Sequence, residues 1–217
     1  HHVGYRGIDL SGGDRPTLTP CNHYAVNNHI HHCSVIRRTH AGAISLSGVG
    51  CRAAHNLIHH EPHTAVWYKG NDHVMELNEI YWTMTETAEG GVFYTGLSWV
   101  DRGNIIRHNY IHHTPGSVEG SPSGINIVHL DDCVSGTTFY GNVCWLASRG
   151  VSICGGPDNI VDNNIFVTVN PAVSLSARGL QWWTWHRRED GSVYSIDIRT
   201  NKAVSYTHLT LPTIYSV

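Results

Sequence analysis

The sequence predicts an all-β fold, a parallel β-helix of about seven stacked coils, on three observations. The first is composition: 22 of 217 residues are glycine and only 14% are charged, so turn formers abound while helix formers are scarce. The second is a strand marker, an apolar residue two positions before a mostly leucine position. It begins at Ile8/Leu10 and recurs at Ile44/Leu46, Val66/Tyr68, Phe93/Thr95, Val128/Leu130, Val151/Ile153 and Val173/Leu175. The third is an asparagine followed two residues later by an apolar side chain, at Asn28, Asn56, Asn78, Asn109, Asn142 and Asn164.

Each marker has a physical reading. The residues between the apolar pairs are Asp9, Ser45, Trp67, Tyr94, His129, Ser152 and Ser174. Alternation of period two means a strand with one buried face, so these residues point outward. Successive leucine-type markers lie 36, 22, 27, 35, 23 and 22 residues apart. Units this short cannot bury an apolar face alone and must stack. A helical solenoid would need segments of period 3.6, which are absent, and the Leu-x-Leu-x-x-Asn spacing of leucine-rich repeats does not recur. Stacking at ~4.8 Å turns the repeated asparagine into a ladder of side-chain amides with a structural role.

The ends depart from the pattern. The β-helix domain is assigned to residues 1–180, and a C-terminal segment, 181–203, to a cap or the start of a further region carrying Trp182, Trp183 and Trp185. Residues 204–217 match no repeat and resemble the translation of a sequencing adapter, so they are set aside as non-native. His1-His2 reads as the tail of an Asn-x-Ile-His-His unit like those at Asn28 and Asn109. The chain is therefore expected to be an internal piece, truncated at both ends, and its missing signal peptide is uninformative.

Composition also narrows partners. A net charge of −3 without a basic patch argues against nucleic acid. No apolar run approaches the ~20 residues that span a bilayer, so no membrane insertion is expected. The six cysteines contain no CxxC pair, are read as small inward hydrophobes, and leave disulfides open. The His31/His32, His59/His60 and His112/His113 pairs carry ligand chemistry but recur at one repeat position. Metal sites need converging ligands rather than abundant ones, so no metal is expected, and no cofactor.

Coil lengths point to a groove. Asn56 to Tyr68 takes 12 residues, whereas Asn78 to Thr95 takes 17 and Asn109 to Leu130 takes 21. Long insertions in a solenoid gather on one face, often the binding face. On the outer side of that strand stand Trp67, Lys69, Tyr94, His129 and Asp131. Aromatic platforms beside polar groups suit sugar rings, and Trp67, Lys69, Tyr94, His129 and Asp72 are the substrate-binding candidates. Glycosidic cleavage commonly uses two carboxyls, and Asp131, Glu89 and Asp132 are the catalytic candidates, with Glu86 in the same loop as Glu89. Asp131-Asp132 suits a turn cap equally well, and Asp72 suits a turn better than a site.

Three motifs then point to a family. They are Gly12-Gly13-Asp14-Arg15 with Thr17-Leu18-Thr19-Pro20; Glu86-Thr87-Ala88-Glu89-Gly90-Gly91 running into Tyr94-Thr95-Gly96; and Leu130-Asp131-Asp132-Cys133-Val134-Ser135-Gly136-Thr137-Thr138. Together they resemble the β-helix proteins of bacterial glycan degraders, most closely glycoside hydrolase family 141, over about Val3 to Leu180. The resemblance implies a right-handed, pectate-lyase-like β-helix, secreted or periplasmic, acting as an α-L-fucosidase on pectic side chains or as a xylanase. It places the family's two acids on Glu89 and Asp131. Glu89 replaces the usual aspartate, and Leu97-Ser98 replaces the usual Arg-Asp. The acids can meet only if Gly90-Gly91 bends the chain toward the groove. A polysaccharide lyase and a non-catalytic glycan-binding or structural segment are the other readings.

Overall fold

The computed structural model describes residues 1–87, 89–114, 124–176 and 178, together with the backbone of Thr184–Arg187 and Val193–Ile196. Those last two segments pair as an antiparallel hairpin. The expectations for Trp182, Trp183 and residues 204–217 fall outside the described residues. The described residues contain no helix, and therefore none long and apolar enough to cross a membrane.

The strands fall into three parallel sheets. The first stacks β1 (Ile8–Gly12), β4 (Ile44–Val49), β7 (Val66–Asn71), β10 (Gly91–Gly96), β13 (Asn126–Asp131), β16 (Arg149–Cys154) and β19 (Val173–Ser176). The second stacks β2 (Tyr24–Val26), β5 (Arg52–Ala54), β8 (Val74–Glu76), β11 (Ile105–Arg107), β14 (Thr138–Tyr140) and β17 (Ile160–Asp162). The third stacks β3 (His29–His31), β6 (Leu57–His59), β9 (Glu79–Tyr81), β12 (Tyr110–His112), β15 (Val143–Ala147) and β18 (Ile165–Val169). The chain visits the sheets in this order and starts again, a path compatible with a parallel β-helix.

Register follows the sequence markers residue by residue. Ile8, Ile44, Val66, Phe93, Val128, Val151 and Val173 form one row, and Leu10, Leu46 and Tyr68 begin a second that Thr95, Leu130, Ile153 and Leu175 continue. On the third sheet Ile30, Ile58, Ile80, Ile111, Cys144 and Phe166 align in the same way. Apart from the exposed Leu175, these rows meet inside the stack with the middle residues of the second sheet, Ala53, Met75, Ile106, Phe139 and Val161. Burial of this continuous apolar core is what one coil could not achieve alone.

The asparagine ladder holds the bend before the third sheet. Asn78 Oδ1 accepts from the backbone N–H of Asn56 at 3.0 Å and from its Nδ2 at 3.0 Å. Asn78 Nδ2 in turn donates to Asn109 Oδ1 at 2.9 Å and to the Ala53 carbonyl at 3.0 Å. The pattern repeats from Asn109 to Asn142 and from Asn142 to Asn164. Each amide thus satisfies buried backbone groups that the turn leaves without a sheet partner.

Candidate functional site

The site forms on the outer face of the first sheet, because alternation sends every second side chain outward. The register places Ser45, Trp67, Tyr94, His129 and Ser152 in one outward row. Their rings make a continuous strip. The Trp67 and Tyr94 centroids lie 4.7 Å apart, and Tyr94 meets His129 edge-on at 5.6 Å. His63 stacks on the far side of Trp67 at 6.2 Å, with His40 at 6.0 Å from the same indole.

The strip ends on Asp131, which is only 9% exposed. Tyr94 Oη donates to its Oδ2 at 3.1 Å, and the Asp132 backbone N–H donates to its Oδ1 at 3.0 Å. Arg178 Nη1 donates to Oδ1 of both Asp131 and Asp132 at 2.8 Å. Gly96 pairs with Asp131 in register and leaves the space the phenol needs. A Cβ there would stand 2.9 Å from Tyr94 Oη and 3.1 Å from Asp131 Cβ.

His129 completes the cluster. Its Nδ1–H donates to the Gly90 carbonyl at 3.2 Å, which directs Nε2 toward Asp131 Oδ1 and Cys154 Sγ, each 3.5 Å away. Burial alone would depress this imidazole, but the Asp131 carboxylate and the Cys154 sulfur outweigh it and raise it to about 9. Burial works against the Asp131 charge too, yet His129, Tyr94 and Arg178 hold its carboxyl below the usual range. Burial and then Asp131 push the Tyr94 hydroxyl up, so it stays a donor.

His129, Asp131 and Cys154 bring their donor atoms within 4.8 Å of one another, and they are the group of three metal-ligating side chains that converges here. Asp131 and Asp132 both accept from Arg178, and His129 Nε2 lies 3.5 Å from Asp131 Oδ1.

Glu89 enters by its backbone. Gly90 adopts φ +122°, and its carbonyl meets both His129 and Asn126 Nδ2. The buried His63 donates Nε2–H to the Glu89 carbonyl at 3.1 Å, fixing the loop beside the aromatic strip. The Glu89 side chain is exposed and makes no hydrogen bond among the described residues. Glu86, in the same loop, is paired with Arg38. Asp132 takes a left-handed turn conformation at φ 41° while sharing Arg178.

Two predicted residues sit apart from this cluster. Lys69 is exposed on β7, where its carbonyl accepts from His73 Nε2 at 3.0 Å. Asp72 occupies the turn between β7 and β8 at φ 58° and lines a separate hollow with Leu18, Tyr24 and Arg52. Conversely, sequence reasoning missed Arg178 and Cys154. Cys154 could have been found by extending the outward row past Asp131, whereas Arg178 carries no repeat signal. All six cysteines are free, and Cys21 and Cys51 approach to 3.4 Å between sulfurs.

No family model matches the chain, nor does any curated protein or solved structure.

Proposed function

We propose that the chain is a right-handed parallel β-helix glycoside hydrolase of the family 141 type, acting on plant cell-wall glycans outside the cytoplasm. The observation that carries this reading is the aromatic strip Trp67–Tyr94–His129 running into one buried, ionised carboxylate, Asp131. Sugar rings present apolar faces and polar edges, which such a strip and such a terminus complement. An Asp131 held ionised by donors suits the base or nucleophile. Glu89, on the loop anchored by His63 and Gly90, supplies the second carboxyl as proton donor to the leaving oxygen.

Arg178 favours a second reading. A lyase acting on acidic glycans needs a cation beside its base, and Arg178 touches both Asp131 and Asp132. Incubation with pectic and xylan oligosaccharides separates the two: reducing-end release without ultraviolet absorbance selects the hydrolase, and an unsaturated, absorbing product selects the lyase. Asp131→Asn should abolish turnover while leaving the far-ultraviolet circular dichroism unchanged. Wild-type turnover in that variant would overturn the assignment of Asp131, and retained oligosaccharide binding with no product from the wild type would select the glycan-binding reading.

A further inference from the structure

The histidine pairs lie on the third sheet, away from the carboxylate cluster, and the fold gives them what spacing alone could not. At the end of each strand the second histidine adopts the left-handed conformation: His32 at φ 53°, His60 at φ 53° and His113 at φ 49°. Histidine tolerates this region better than most side chains. The turn swings the second ring perpendicular to the first, with interplanar angles of 87°, 82° and 84°. As a result the two Nδ1 atoms face each other at 2.8 Å in His31/His32, and at 2.7 Å in both His59/His60 and His112/His113.

Stacking repeats the arrangement. His31 lies on His59 at 5.1 Å and 8°, and His32 on His60 at 5.1 Å and 11°. Tyr81 replaces a histidine in the next coil and bridges His59 to His112 at 4.8 and 4.9 Å. His1 and His2 pair in the same way on the first turn.

Two facing imidazole nitrogens share a single proton, and a metal ion can take its place. Metal–nitrogen bonds of ~2.0 Å put cis ligands ~2.8 Å apart at a right angle and ~3.3 Å apart at the tetrahedral angle. The observed pairs match the right-angle edge. Tetragonal N/O coordination at that angle is the preference of Cu²⁺ and Ni²⁺ rather than Zn²⁺. The His112/His113 pair has an outer partner as well: His112 Nε2–H donates to Glu79 Oε1 at 3.3 Å, which leaves Nδ1 as the lone-pair donor. We propose that His31/His32, His59/His60 and His112/His113 are a row of bidentate chelates for Cu²⁺ or Ni²⁺, each ion held by two Nδ1 atoms and completed by water.

Equilibrium dialysis and electron paramagnetic resonance of the whole chain with CuCl₂ test this at neutral pH. The variant His32→Asn/His60→Asn/His113→Asn keeps residues that accept a positive φ and removes one ligand from each pair. It should lose about three equivalents of Cu²⁺, with the matching nitrogen hyperfine signal. His55→Asn/His108→Asn is the control, because both are exposed histidines in the same backbone conformation (φ 55° and 56°) outside these pairs. That control should retain wild-type stoichiometry with an unchanged circular dichroism spectrum. Equal loss from both variants would mean adventitious histidine binding and would overturn the proposal. So would tighter binding of Zn²⁺ than of Cu²⁺, or full stoichiometry in the triple variant.

Discussion

Removing one rung of the asparagine ladder tests the fold most sharply, because rungs that look alike in sequence differ in what they hold. Asn78 is 2% exposed and makes four side-chain bonds. In Asn78→Ala the backbone N–H of Asn56 loses its acceptor in a buried position, which costs ~1–3 kcal/mol. The three remaining bonds contribute ~1 kcal/mol each, since Asn56 Nδ2 keeps the Ala25 carbonyl and Asn109 Oδ1 keeps the Asn78 backbone N–H. The total is ~4–6 kcal/mol. Asn28 stands at the start of the ladder, and its side chain donates only to Asn56 Oδ1 at 2.9 Å. Its backbone N–H still reaches the same oxygen in Asn28→Ala, so that variant should lose only ~1 kcal/mol.

Urea unfolding of both variants, followed by circular dichroism and by amide exchange, gives the comparison. Two probes are needed because stacked repeats unfold in segments as well as globally. Asn78→Asp adds a second check: it keeps the acceptor for Asn56 but sets a carboxylate oxygen against the Ala53 carbonyl and Asn109 Oδ1. It should be less stable at pH 7 than at pH 4, where protonation restores a donor. Equal losses for Asn78→Ala and Asn28→Ala would refute the ladder as the source of stability at this bend.

Three further outcomes follow from the site. Gly96→Ala should drive Tyr94 Oη off Asp131, so a double-mutant cycle with Tyr94→Phe should be strongly non-additive, each single change costing ~1–2 kcal/mol in stability. Burial, outweighing its bond to Glu89, lowers His63 from 6.5 to about 4. The fold therefore favours the neutral ring: the contribution is complete above pH 6.5 and is lost as pH falls toward 4, by up to ~3 kcal/mol. Urea midpoints across that range should flatten in His63→Asn. Trp67→Ala should weaken oligosaccharide binding about tenfold, ~1.4 kcal/mol, by titration calorimetry, while Lys69→Ala should change it much less.

The first and third sheets were legible because each repeats a recognisable residue in phase. Spacing between markers varies from 22 to 36 residues, yet Ile8 through Val173 align in one row. Extra residues leave the coil in loops and re-enter in register, since a slip by one would turn every apolar side chain outward. The second sheet was not legible, for an equally physical reason. Its strands are three residues long and add to the apolar core only a middle side chain, which ranges from Ala53 to Phe139. Unlike residues also fill its turn position: His73 Nδ1 accepts the Cys51 N–H at 3.0 Å, Asn104 Oδ1 the His73 N–H, and Asn159 Oδ1 the Thr137 N–H. One geometry is met by several chemistries, and pattern-matching sees none. On the outer face of the first sheet, alternation located Trp67, Tyr94, His129 and Asp131. It could not find Arg178, which reaches Asp131 from 47 residues along the chain.

Stacked coils make two kinds of row, and the difference bears on function. A row of like residues is self-supporting: stacked amides or imidazoles satisfy one another from coil to coil, as in the ladder from Asn28 to Asn164. A row that changes identity has no such return, and its members must find partners sideways. The outward rows of the first sheet change in this way, from Ser45 to Trp67, Tyr94 and His129, and from Lys69 to Gly96, Asp131 and Cys154. Their contacts run across the strands, Tyr94 to Asp131 and His129 to Gly90. Such a cluster gains little from the repeat and is held by these sideways bonds instead. The histidine rows combine both logics: stacking between coils orders the rings, and the left-handed turn within each coil aims the nitrogens at one another. Repetition then multiplies a two-ligand site along the sheet, just as change of identity confines the carboxylate cluster to one place on another.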